Sequence, residues 1–588
     1  MGGGAGLIPP LLAVLALLAS ATRPAVGQDT VVVIDPNAPP VQLRSLRGPP
    51  PDVVQEAVAR YNDTTVTRFY GSATVASGSW LRGDVAVYRG TLRVIGRITG
   101  RVTVVNGSLI IGPLGTVEGE VLLLGGRMQV DPSGRHAGAL RSYAEPAPVV
   151  RTAAGALAIR QRPTVLGEVA ATFTTFQYGK FKAALSLETG RNYNRAEGLP
   201  VLIGPTITFP TPNPGEVRLE AWGLLRTDRD ETNQLPQFGW RTRVEWESKS
   251  RTRGGLGFKW ESTVLPLEGF QLASSERGWS SFLFRRDYDD YFESRGIEGY
   301  AYVYPFPSFR LQGSIRRDDQ RTVPASDPIT LFRNDSPWRP NPLIDDGTYT
   351  TLRAEAVLDT RNSEVTPTSG WQVRTWFERG LSDDVAPIAL PSEVREPIPT
   401  FRTYGFSRLW LDARTYARIN QVSRVNLRLL AGGWVGGDPL PIQRRFSLGG
   451  PGILPGLPFR FQRCAPAGFT DPATTALCDR LLAVQGEIRV RFPLRLRELL
   501  GADEWAGGLL DRVLGTDLAD FVLFGDMGKA WLTGDGPGRV PSDRIPRLDE
   551  WDSDAGVGLD LGGLAFYLSK SLSTSHTPRL TVRLQRRF

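Results

Sequence analysis

From about residue 165 to the end, the chain repeats one pattern of apolar and polar positions. Segments of roughly ten residues alternate with period two, and polar or Pro/Gly-rich turns separate them. Clear cases are VRLEAWGLLRT (217–227), FGWRTRVEWES (238–248), IEGYAYVY (297–304), LRAEAVLDTR (352–361), WQVRTWFERG (371–380) and VNLRLLAGGWV (425–435). One side of each segment carries Leu, Val, Trp, Phe or Tyr, and the other carries Arg, Glu, Thr or Gly. A soluble sandwich also alternates, with its polar side in water. Two features point instead to a transmembrane barrel: the segment length suits a tilted membrane-spanning strand, and there are roughly sixteen segments. The chain closes as TPRLTVRLQRRF, read as a last strand ending on the aromatic Phe588. The expected fold class is all-β: an antiparallel transmembrane barrel of about sixteen strands, preceded by a small β-solenoid.

The solenoid is read from a repeat nearer the front. Three lines stack: GDVAVYRGTLRVIGRIT from Gly83, GRVTVVNGSLIIGPLGTVE from Gly100 and GEVLLLGGRMQVDPSGRHA from Gly119, with a partial fourth from Gly138. Their apolar columns coincide at Val85/Val102/Val121, Leu92/Leu109/Met128 and Val94/Ile111/Val130, and glycines recur at Gly90, Gly107 and Gly126. No rung buries its inward residues alone, so stacking supplies the core. The stretch resembles bactofilin-like β-helix modules in pattern.

Composition narrows the class. Charged residues at 22% and hydrophobic residues at 41% fit a folded chain, and 64 Gly with 45 Pro favour strands and turns. The net charge is +8, but the arginines are scattered among apolar residues, without a compact patch or nucleic-acid motif, so no nucleic-acid partner is expected. Leu7–Ala21 reads as an export signal, with candidate cleavage points after Ala21 and Gly27. The expected organisation is a signal peptide (1–27), a Pro-rich linker with a short helix at Asp52–Tyr61 (28–75), the solenoid in the periplasm (76–145), a second linker (146–164) and the barrel (165–588). Cys464 and Cys478, the only cysteines, are expected to pair as a disulfide in an exported protein. Free thiols or a metal site are the alternatives. With only His136 and His576 in the chain, no metal site or other cofactor is expected.

Four motifs then carry a family resemblance. AEAVLDTRNSEVTPTSGW (354–371) resembles the "DTRD…P…GW" strand–turn–strand of the BamA/TamA-like outer-membrane assembly barrels, the bacterial surface antigen family. Asp359, Thr360, Arg361, Pro367, Gly370 and Trp371 fall on that pattern, a periplasmic turn in the family. Phe446, Leu448, Gly449 and Gly450 resemble the "F-x-L-G-G" that opens the family's long inserted loop. QGEIRVRFPL (485–494) resembles its "E-x-R-x-P" strand through Glu487, Arg489 and Pro493. FVLFGDMGKAW (521–531) resembles its "F-x-D-x-G" lumen strand through Asp526 and Gly528. Phe588 looks like the C-terminal recognition signal of such barrels. After the loop, the implied strands fall near 483–492, 519–531, 554–561, 564–572 and 577–588, with a tight turn at Gly562-Gly563. Before the DTR segment the family has seven strands and the chain shows eight candidates, so one is expected to be a loop.

The chain departs from the family twice. No POTRA-type βααββ pattern precedes the barrel, and the solenoid occupies that place. The family's loop tip reads V-R-G-F, where this chain has Leu454, Pro455, Gly456 and Leu457; Gly456 survives and the arginine does not. Arg460 or Arg463 is expected to take over the missing contact to Asp526. No catalytic motif is present: G-x-S-x-G is absent, and a triad would have to use His136 or His576, so no enzyme activity is expected. The resemblance implies an outer-membrane barrel that inserts or translocates polypeptides or lipids. Its partners would be the outer-membrane bilayer and client outer-membrane proteins or periplasmic factors. The alternative is a structural or pore-forming barrel anchored by its solenoid.

Overall fold

The computed structural model describes residues 51–143, 146–147, 149–151, 155–159, 170–178, 181–189, 193–211, 215–228, 236–248, 253–362, 367–398, 403–420, 422–466, 476–493, 518–561 and 564–588. The export signal, the first part of the Pro-rich linker, part of the second linker and Gly562-Gly563 lie outside them. Among the described residues no helix is long and apolar enough to cross a membrane, which leaves membrane-crossing strands untouched.

The repeat folds as a parallel β-solenoid in the anticipated register. Val85 faces Val102 and Val102 faces Val121; Leu92, Leu109 and Met128 form a second column, and Val94, Ile111 and Val130 a third. Two details differ from expectation. A further rung, with strands Thr67–Tyr70, Ala73–Val75 and Trp80–Leu81, precedes Gly83, so the solenoid begins inside the segment read as linker. The helix α1 (Pro51–Asn62) and a hairpin at Val149–Arg151 and Leu157–Ile159 also pack on it, burying Val54, Ala57 and Tyr61 against Tyr88, Val105 and Leu124. Arg141 bridges Glu56 of this helix to Glu120 of the solenoid, at 2.7 and 2.6 Å. The corner glycines permit tight stacking: a Cβ on Gly126 would sit 1.5 Å from the Gly107 carbonyl oxygen.

Among the described residues the rest of the chain forms one antiparallel meander of seventeen strands. They are β1 (Ala170–Tyr178), β2 (Phe181–Thr189), β3 (Pro200–Pro210), β4 (Gly215–Arg226), β5 (Phe238–Ser248), β6 (Arg253–Pro266), β7 (Tyr291–Phe306), β8 (Phe309–Thr322), β9 (Asp346–Asp359), β10 (Gly370–Ala386), β11 (Tyr404–Arg418), β12 (Ser423–Gly437), β13 (Arg480–Pro493), β14 (Leu518–Thr533), β15 (Asp552–Asp560), β16 (Ala565–Ser571) and β17 (Arg579–Arg583). A two-residue strand, Arg539–Val540, also pairs with the end of β14. Among the described residues eight strands, β1–β8, precede the DTR segment, one more than the seven that the resemblance implies. The last strand is shorter than the sequence suggests, because its partner β16 begins at Ala565, opposite Arg583.

Burial is inverted relative to a soluble sheet. Leu256, Phe258 and Trp260 on β6, Ile315 on β8, Leu523 on β14 and Leu568 on β16 are exposed. Glu245, Glu378, Asn426, Gln485, Glu487 and Arg489 are buried on the other side. Apolar side chains facing out and charged ones facing in are what a barrel in lipid requires. The inward charges are paired: Arg489 reaches Glu487 and Asp560, both at 2.5 Å, and Arg408 meets Glu378 at 3.0 Å.

Candidate functional site

The long connection between β12 and β13 is folded into the barrel. Nearly every residue from Pro441 to Leu457 is buried, and Phe446, Leu448, Ile453, Leu454 and Leu457 form one apolar cluster with Trp410, Leu430 and Leu481 on the walls. The segment doubles back on itself through bridges between Phe446 and Cys478, Leu448 and Gln462, and Gly450 and Leu454. Gly449 and Gly450 turn the chain with φ of 118° and 104°. The Cys464–Cys478 disulfide closes its outer part.

The loop tip lies against the last strands. Gly456 donates its N–H to Asp554 on β15 at 2.5 Å, and a Cβ there would come within 2.7 Å of the Ser571 amide on β16. Gln485 on β13 donates to the Ile453 carbonyl at 3.0 Å, and Gly528 leaves the room that Leu448 fills. Gln462 is held by the Ala530 amide at 2.6 Å and by Asp552 at 2.5 Å.

A second insertion shares the lumen, and the motifs gave no sign of it. Between β6 and β7, residues 267–290 enter the barrel and carry the helix α2 (Ser274–Phe284). Phe270 packs on Trp410 and Phe446 with ring centres 4.8 and 6.0 Å away, and its carbonyl accepts from Arg428 on β12. A Cβ on Gly452 would lie 2.1 Å from the Gln271 carbonyl oxygen, so the two insertions touch backbone to backbone.

A carboxylate clasps them together. Glu268, 1% exposed, accepts from the Ser447 amide at 2.6 Å, from its hydroxyl at 2.8 Å and from Arg460 at 2.7 and 3.0 Å. Arg460 also pairs with Asp290, which Arg195 and Arg339 hold from two further loops. Arg460 is therefore the loop's clasp, and the cation paired with Asp526 is Arg587 of the C-terminal tail. This corrects the expected pairing of Asp526 with Arg460 or Arg463: the inward turn of the tail places a guanidinium there, and Pro455 leaves only the adjacent Gly456 amide for Asp554. Burial pushes the Asp289 carboxyl up to about 6, with Arg277 beside it acting in the opposite sense.

The remaining motif residues have structural places. Arg361 folds back on Asp359 at 2.6 Å at the end of β9, Pro367 is buried, and Gly370 opens β10 with φ of 103°. The Thr360 amide donates to the Trp371 carbonyl at 2.8 Å across this turn. Pro493 ends β13. Phe588 is buried five residues beyond the last strand rather than standing on it. His136 lies in the solenoid, and His576 meets the Thr574 hydroxyl at 2.6 Å while Ser573 donates to Asp552.

Among the described residues the ladder runs from β1 to β17, and no strand pair links those two ends. The fold among the described residues is a barrel-like antiparallel sheet preceded by a β-solenoid. Among solved structures it is similar to BamA from Haemophilus ducreyi lacking POTRA domains 1–3 (TM-score 0.38, 13% identity, 71% of this chain and 76% of that one). It is also similar to CdiB from Acinetobacter baumannii (TM-score 0.27, 9% identity, 72% and 66%) and CdiB from Escherichia coli (TM-score 0.28, 9% identity, 70% and 62%). No family model matches the chain, and no curated protein matches it.

Proposed function

We propose that the protein is an outer-membrane barrel of the assembly or translocation type, which helps polypeptides or lipids enter or cross that membrane. The observation that carries this reading is that, among the described residues, β1 and β17 are unpaired beside a filled lumen. A route through the barrel axis would have to displace two clasped insertions, whereas an open strand edge is a ready template for another strand. The family motifs at 359–371, 446–450, 487–493 and 526–528 support the same reading. It includes no catalytic step. The structural or pore-forming alternative fits a filled lumen less well.

The solenoid's side of the membrane is a separate point. With an odd number of antiparallel strands, Ala170 starts at the end of the barrel opposite to the one where Arg583 stops. We place the solenoid in the periplasm as part of this reading. Depletion followed by outer-membrane proteomics tests the main proposal. Loss of other barrel proteins from the membrane supports it. Intact insertion of every other barrel, with altered solute flux or a detached envelope, selects the alternative.

A further inference from the structure

The C-terminal tail occupies a seat that the family motifs leave unassigned. After Arg583 the chain leaves the sheet and turns inward as Leu584–Phe588. One carboxylate oxygen of Glu276, in the first turn of α2, accepts from Arg583 Nε at 2.8 Å and from the Leu584 and Gln585 amides, each at 2.9 Å. Ser275 Oγ accepts from the Gln585 side chain at 2.8 Å. Arg583 also donates to the Pro451 carbonyl of the inserted loop at 3.2 Å. Further along, Arg587 pairs with Asp526 and lies 3.8 Å over the Phe524 ring, and Phe588 is buried.

These contacts come from three separate elements. The helix α2 supplies a carboxylate that binds one guanidinium and two backbone amides, a strongly charge-assisted arrangement. The inserted loop supplies a carbonyl, and β14 supplies a carboxylate and an aromatic face. Such a set recognises a short basic peptide by its arginines and by consecutive free N–H groups. The tail cannot satisfy those groups on the sheet, since β16 starts opposite Arg583.

We propose that Ser275, Glu276, the Pro451 carbonyl and Asp526 form a peptide seat for a basic C-terminal segment, occupied in cis by Leu584–Phe588, and that this seat couples the plug to the seam. Two of its walls belong to the lumen insertions and its ligand is continuous with the last strand. Displacing either insertion therefore releases β17, and release of the tail loosens the insertions, as reciprocal coupling requires. The consequence for client entry rests on the assembly reading; the seat itself does not.

Hydrogen exchange of the full-length chain in anionic nanodiscs, resolved over 579–588, tests this. In the wild type the Leu584 and Gln585 amides exchange slowly. Glu276→Ala raises their exchange at least tenfold and leaves β16 unchanged, and Arg583→Ala raises it less, because the carboxylate still holds both amides. Glu276→Gln preserves the side-chain shape and raises exchange severalfold, which keeps the test available if the alanine variant fails to fold. Gly452→Ala, which wedges the two insertions apart, raises tail exchange as well. Unprotected tail amides in the wild type, or unchanged ones in both Glu276 variants, overturn the seat. Unchanged tail exchange in Gly452→Ala, with faster exchange across 446–462, overturns the coupling. No client enters this readout, so its failure leaves the assembly proposal intact, and failure of the depletion test leaves the seat intact.

Discussion

Arg460→Ala should loosen the inserted loop without unfolding the barrel, and the size of the effect follows from what is left behind. Arg460 donates to Glu268 at 2.7 and 3.0 Å and also pairs with Asp290, and both carboxylates are essentially inaccessible to water. Removing one partner of a buried pair costs about 3–5 kcal/mol when the other is stranded. Neither carboxylate is fully stranded here: Glu268 keeps the Ser447 amide and hydroxyl, and Asp290 keeps Arg195 and Arg339. The cost should fall below that range, at about 2–3 kcal/mol, or a rise of about 30- to 150-fold in local opening of the loop. Leu448 and Gln462 exchange backbone hydrogen bonds of 2.9 and 2.8 Å within the doubled loop, so their amides report the opening directly. Hydrogen exchange of the purified barrel should show both accelerating by that factor, with β12 and β13 unchanged. Acceleration below threefold would show that apolar packing alone seats the loop and that the clasp is incidental.

Three further outcomes are expected. Glu56 is held below the usual carboxylate range by the hydrogen bond from Arg141, with burial opposing and Arg60 assisting. A lowered folded value means its contribution is present above the ordinary 4.5 and is lost as pH falls through the lowered one; with 34% of the side chain exposed it is under about 1 kcal/mol. Limited proteolysis at pH 3 against pH 6 should show α1 cut faster at the lower pH. Replacing Cys464 and Cys478 by serine removes a constraint worth about 3 kcal/mol in the unfolded chain and should make the 446–478 loop protease-sensitive while the barrel keeps its heat-modifiable migration on gels. Gly126→Ala drives a methyl group to 1.5 Å from the Gly107 carbonyl oxygen and should cost the solenoid about 3 kcal/mol in urea unfolding followed by circular dichroism.

Much of the fold was legible because period-two alternation and the rung repeat are local signals. The columns Val85/Val102/Val121 and Leu92/Leu109/Met128 formed as aligned, and the candidate strands from 217 to 435 kept their places. The inserted loop was legible through its Gly and Pro content and its motif. Three features were not. Residues 267–290 carry Gly, Ser and one short helix, a composition shared by any surface loop, and their lumen position depends on Phe270 meeting Trp410 across the barrel. The tail alternates like a strand to its last residue, yet the strand stops where β16 stops, and only three-dimensional proximity joins Arg587 to Asp526. Arg460 or Arg463 was expected at Asp526, but Arg460 meets Glu268 and Asp290 instead, which lie on a loop far from it in sequence.

Assembly at the seam between β1 and β17 is the central proposal, and quantitative proteomics of the outer membrane after depletion of this protein tests it most directly. The account predicts that other barrel proteins decline in the membrane fraction and accumulate unfolded in the periplasm. Barrel proteins at undiminished levels and correctly folded, with only permeability or envelope attachment changed, would contradict it.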